Sequence, residues 1–110
     1  MKEIKPKIDH TEASYGYVYI MSHSFFTDVI KIGCTPIDPQ EYAAQLSLKT
    51  PGNYQVVFSL ACDNPCQVKK QIRQYLNDKE HTNEFYQVPV NVAKKLFKRE
   101  VFKIPFIDAG

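Results

Sequence analysis

Apolar and polar positions along the chain follow two different periods, and the places where one gives way to the other mark out the elements. From Tyr15 the run Tyr-Gly-Tyr-Val-Tyr-Ile-Met is dense in aromatic and β-branched residues over one strand length. Ser22 to Asp28 is a polar and aromatic connection, and Val29-Ile30-Lys31-Ile32-Gly33 is a second strand, so the two form a β-hairpin. Asp38-Pro39-Gln40-Glu41 then starts a helix: a carboxylate to accept orphan amides, proline at the first helical position, and glutamate where a capping box places it. Tyr42, Ala43 and Leu46 give this helix an apolar face over Pro39 to about Leu48, and Pro51-Gly52 ends it.

Tyr54 to Cys62 reads as a third strand. Asp63-Asn64-Pro65 repeats the start signal, with Asn64 as the cap and Gln67 three residues on. The helix that follows carries an apolar stripe of Val68, Ile72, Tyr75 and Leu76, leaving Lys69, Lys70 and Arg73 on its polar side. Glu84 to Val88 is a short extended segment stopped by Pro89, and Asn91 to Arg99 is a third helix with Val92, Leu96 and Phe97 inward. Val101 to Phe106 reads as an edge strand or an extended tail, since Pro105 is incompatible with a central strand. The expected fold is α/β of the α+β kind: a small antiparallel sheet of about three strands flanked by helices. Residues 1–13 are expected to be a flexible arm, residues 14–100 the folded domain, and residues 101–110 a tail or edge segment.

Length allows one domain and one core: 110 residues, 44% apolar and 24% charged. Disorder of the whole chain is excluded, and no apolar run approaches the roughly 20 residues that span a bilayer. The opening residues lack the charged, apolar, small-residue order of a secretory signal, so a cytoplasmic location with no membrane partner is expected. Three cysteines in a chain able to fold without cross-links are expected to be reduced, with Cys34, Cys62 and Cys66 acting as small hydrophobes. Cys62 and Cys66 with the distant Cys34 and His81 make a poor zinc set. A formal net charge of +2 does not by itself announce a nucleic-acid binder. Lys94, Lys95, Lys98 and Arg99 concentrate positive charge near the C-terminal end, readable either as a solvated helix face or as a nucleic-acid contact. Phe25 and Phe26 are read as core residues or as a self-association patch.

Gly16-Tyr-Val-Tyr-Ile, then Lys31-Ile-Gly, then Asp38-Pro-x-Glu opening a helix, and finally Asn83-Glu-Phe-Tyr-x-Val occur in that order from about Gly16 to Lys98. Together they resemble the GIY-YIG nuclease superfamily, in particular the phage and bacterial branch whose second motif begins with lysine. The resemblance implies a metal-dependent endonuclease that hydrolyses DNA phosphodiesters with Mg2+ or Mn2+. Carried onto this chain, it implies that Tyr19 helps activate water, Lys31 supports it, and Glu84 holds the metal. Such chemistry needs a nucleophile, an offset for charge on the phosphoryl oxygens, and help for the leaving oxygen.

One role departs from that pattern. The family's first-helix arginine falls at Tyr42, about nine residues past Gly33, and no arginine precedes Arg73. A phenol donates one hydrogen bond to phosphate and carries no charge. Tyr42 and Arg73 are therefore the candidates for the phosphate position, Arg73 by reaching across from the second helix. Two readings follow. One is a DNA endonuclease of weak or lost activity. The other is a catalytically inactive nuclease-fold module that binds nucleic acid or a protein partner, a homodimer included.

Overall fold

The computed structural model describes residues 14–82 and 84–103. The arm expected over residues 1–13, Asn83 of the last motif, and the tail beyond Lys103 lie outside the described residues. In chain order the elements are β1 (Tyr15–His23), β2 (Phe26–Thr35), α1 (Pro39–Lys49), β3 (Tyr54–Asp63), α2 (Pro65–Tyr75), β4 (Glu80–Thr82), β5 (Phe85–Tyr86) and α3 (Val90–Phe102). The strands form one antiparallel sheet in the order β3-β1-β2-β5-β4. The mixed α+β class stands, with five strands rather than about three: Glu80–Thr82 turns back on Phe85–Tyr86 as a small hairpin at the sheet edge. A three-residue strand carries too few alternating positions to be read from periodicity.

Local chemistry accounts for the boundaries. At the start of α1 the Asp38 carboxylate accepts the Glu41 amide at 3.1 Å, as the capping pattern requires. At its end the Thr50 hydroxyl and amide both donate to the Leu46 carbonyl, at 3.0 and 3.2 Å. Asn64 departs from expectation. It sits in the left-handed region (φ 48°) and its side chain makes no cap bond; its backbone carbonyl instead accepts from Gln67 and Val68. The β1–β2 connection is shorter than the pattern suggested, because Phe26 already pairs with His23. Val101 and Phe102 complete α3 rather than an edge strand.

Period-two alternation divides the sheet into two unlike faces. Val18, Ile20, Ile30, Ile32 and Cys34 point to one side, where Val68, Ile72 and Leu76 of α2 and Ala93 and Phe97 of α3 close over them. Tyr19 and Met21 point to the other, where α1 brings Ala43, Tyr42 and Leu46. Cys34 and Cys66 are joined as a disulfide with Cα atoms 5.3 Å apart, tying the end of β2 to the first turn of α2. The expectation of three reduced thiols is corrected for this pair: β2 and α2 pack so that positions 32 residues apart become neighbours, which spacing along the chain does not reveal. Cys62 remains a thiol, half-buried, and burial pushes its pKa up.

Candidate functional site

The second face carries the chemistry-bearing residues, and strand register explains their meeting. In the β1–β2 ladder Tyr19 lies opposite Gly33 and Met21 opposite Lys31, so Tyr19 and Lys31 share a face one step apart. A β-carbon at position 33 would collide with the Tyr19 hydroxyl, so glycine is what lets the phenol ring lie across β2. On the far side of β2, Phe85 lies opposite Lys31, and the Glu84 carbonyl accepts the Ile32 amide at 3.0 Å. Glu84 itself has φ 67°, a left-handed conformation at the turn out of β4 that sets its side chain toward β2.

Two lysines grip that carboxylate. Lys31 Nζ donates to Glu84 Oε1 at 2.7 Å and Lys69 Nζ, reaching from α2, donates to Oε2 at 3.1 Å. The Glu84 side chain is 24% exposed. Burial pushes its carboxyl upward, but the hydrogen bonds and charges of Lys31 and Lys69 outweigh that and hold it below the usual range. Beside it, Glu80 accepts the Glu84 amide at 3.3 Å and stands 3.5 Å from Arg73 Nη2. Arg73 Nε donates to the Tyr86 hydroxyl at 2.6 Å. Three cations, Lys31, Lys69 and Arg73, therefore pair with two carboxylates, Glu84 and Glu80.

The tyrosines behave differently from an activated base. Tyr19 is 2% exposed, and burial pushes its phenol far above the ordinary value, with Tyr42, Glu84 and Tyr54 adding to the rise. Tyr42 is raised in the same direction, by burial first and then by Glu84 and Tyr54. Their rings stand 5.9 Å apart. At neutral pH both are hydrogen-bond donors rather than proton acceptors.

Of the residues singled out from the sequence, Tyr19, Tyr42, Lys31 and Glu84 meet on this face. Arg73 lies at its rim, engaged with Tyr86 and Glu80 rather than reaching toward Tyr42. Lys94, Lys95, Lys98 and Arg99 do not join them. They ride on α3, which covers the opposite face; Lys94 and Lys98 stand 5.3 and 6.0 Å from the Phe58 ring and Arg99 4.9 Å from that of Tyr75. Helix periodicity leaves Lys69 facing either solvent or whatever the sheet presents, and the structure turns it to Glu84. The spacing of four between Lys69 and Arg73 was the available signal, since i and i+4 share a helix face.

The metal that the resemblance implies can be tested against the donors. Magnesium is held by one or two carboxylates together with water and substrate phosphate. Glu84 already has both oxygens on ammonium groups, and among the described residues no cluster of three or more His, Cys, Asp or Glu could hold a metal ion. A divalent cation at Glu84 would have to displace Lys31 or Lys69 from its carboxylate.

The fold and this face together define a mixed α+β domain with an ion-paired polar site on one side of its sheet. The chain belongs to the T5orf172 domain family, a nuclease-related group, whose sequence profile matches residues 16–101. No curated protein and no solved structure matches it. Among the described residues no helix is long and apolar enough to cross a membrane.

Proposed function

We propose that this chain is a GIY-YIG-type nuclease-fold module that binds the phosphates of nucleic acid on the Tyr19–Lys31 face and does not hydrolyse them. The observation that carries this reading is the double ion pair on Glu84, at 2.7 and 3.1 Å. A carboxylate neutralised by two ammonium groups is poorly placed to recruit a divalent cation, and each ammonium keeps N–H donors beyond the one it gives Glu84 that a phosphate oxygen could accept. Two further features agree. The buried Tyr19 phenol, with its raised pKa, is unsuited to take a proton from water near neutral pH, and Tyr42 lacks the charge of the guanidinium that hydrolysis calls for. Loss of one preorganised donor costs about 3 to 4 kcal/mol of transition-state stabilisation.

A second reading is a weak DNA endonuclease dependent on Mg2+ or Mn2+. The gathering of Tyr19, Lys31 and Glu84 on one face favours it. Incubation with supercoiled plasmid and either metal separates the two. Under the binding reading the parent leaves the plasmid intact, while its affinity for labelled DNA falls with rising salt and falls again in Lys31→Ala and Lys69→Ala. Cleavage by the parent that vanishes in Glu84→Ala would establish the endonuclease instead. Tyr42→Arg restores the missing cation, and cutting by that variant alone would identify a disarmed nuclease.

A further inference from the structure

An aromatic surface adjoins the cations, and nothing in the binding of a phosphate uses it. Phe85 lies opposite Lys31 on the next strand, with Lys31 Nζ 5.6 Å from its ring centre. Phe26 meets Phe85 edge-on at 5.7 Å, and Tyr54 stands 6.5 Å from Phe85. His23 joins the set at 4.6 Å from Tyr54 and 5.0 Å from Phe26. Helix α1 packs mainly over β3, and at the hairpin end of β2 the described residues Phe26, Thr27 and Asp28 are exposed. Phe26 is 47% exposed and Phe25 64% exposed, which corrects the expectation that they are core residues.

The platform is held in place. Ser24 donates its amide to the Asn53 carbonyl at 3.0 Å and accepts the Asn53 amide on its hydroxyl at 2.9 Å. His23 Nδ1 accepts the Phe25 amide at 3.0 Å, and its Nε2 lies 3.1 Å from the Pro51 carbonyl. The hairpin tip is thus tethered to the loop before β3, and a ligand that settles on these rings need not order them first.

From this juxtaposition of exposed phenylalanine and paired lysine, we infer that the site takes single-stranded nucleic acid, with an unpaired base stacked on Phe26 and the neighbouring phosphate on Lys31 and Lys69. The inference rests on the phosphate-binding reading above and narrows its ligand. A nucleotide presents a flat ring and an anion a few ångströms apart, matching an aromatic face beside an ammonium pair. In a duplex the base faces are stacked on one another, so only unpaired bases can use such a surface. Every base has a π-face, so the preference is for strandedness rather than sequence.

The test uses the full chain, labelled oligothymidylate, and a duplex of equal length at fixed salt. The single strand is expected to bind more tightly than the duplex, and Phe26→Ala to weaken single-strand binding about five- to a hundredfold while leaving duplex binding unchanged. The chain contains no tryptophan, so Phe26→Trp introduces a unique indole whose emission should be quenched on addition of oligothymidylate. Equal affinity for both ligands, with Phe26→Ala matching the parent and no quenching, overturns the inference while leaving phosphate binding intact. No salt-dependent binding of either ligand overturns the phosphate reading itself. Burial of Phe26 in a self-associated dimer, seen by sedimentation as a mass that Phe26→Ala halves, also overturns the inference.

Discussion

The two faces of this sheet are built from the same three long strands yet do opposite things. On the α2 and α3 side, Val18, Ile20, Ile32, Ile72 and Phe97 are each 0% exposed, and the Cys34–Cys66 disulfide pins helix to strand. On the α1 side the alternate residues are Tyr19, Met21, Lys31 and Gly33; Tyr19 and Met21 pack against Ala43, while the exposed aromatic residues Phe25 and Phe26 gather at the hairpin end. Stability is concentrated on one face, and polar and aromatic groups collect on the other. A one-residue slip between β1 and β2 would exchange the two sets, so the register that closes the core is also the register that assembles the site.

That contrast predicts a steep gradient in the response to mutation. Truncating the closed face should cost most: Phe97→Ala removes a fully buried ring and is expected to lower stability by about 3 to 5 kcal/mol, whereas Phe26→Ala on the open face should stay within about 0.5 kcal/mol of the parent. Urea unfolding of the two variants side by side checks this, and equal losses would erase the distinction between the faces. Next in size, Gly33→Ala places a β-carbon against the Tyr19 hydroxyl and is expected to cost about 1 to 3 kcal/mol. Pairing it with Tyr19→Val, which vacates that space, should recover part of the loss; strictly additive effects would show that the ring does not lie across the glycine.

The smallest effect is electrostatic. Lys31 and Lys69 hold the folded-state pKa of Glu84 below its unfolded value, despite the upward push of burial. Its stabilising contribution is therefore complete above the unfolded carboxylate pKa of about 4.3 and is lost as pH falls through the lower folded value. After solvent screening the contribution is under about 1 kcal/mol. Stability measured from pH 6 down to the acid range should fall less in Glu84→Gln than in the parent, and parallel curves would mean that the two ion pairs contribute nothing.

Comparison of the two faces also shows where the sequence was readable. The closed face announces itself: Val68, Ile72 and Leu76 recur at helical spacing, β1 alternates, and Asp38-Pro39 marks a helix start that the Asp38–Glu41 bond satisfies. Tyr19, Lys31 and Glu84 were legible as candidates through short motifs, but their partners were not. Lys69 looks like any solvated helix lysine until α2 is laid against the β5 edge, and Arg73 looks available until Tyr86 and Glu80 engage it. The basic run from Lys94 to Arg99 was visible as charge, while its position on the far side of the sheet was not.

The order of strands and helices, the capped start of α1 and the apolar stripe of α2 were set by residues close together along the chain, because propensity, capping and periodicity act over a few positions. Tertiary structure alone decided that Glu84 would be shared between Lys31 and Lys69, that Cys34 would meet Cys66, and that the half-exposed Phe26 would stand against Phe85, the ring beside Lys31. These are contacts between residues tens of positions apart, and their energies exist only once the sheet has brought its strands into register.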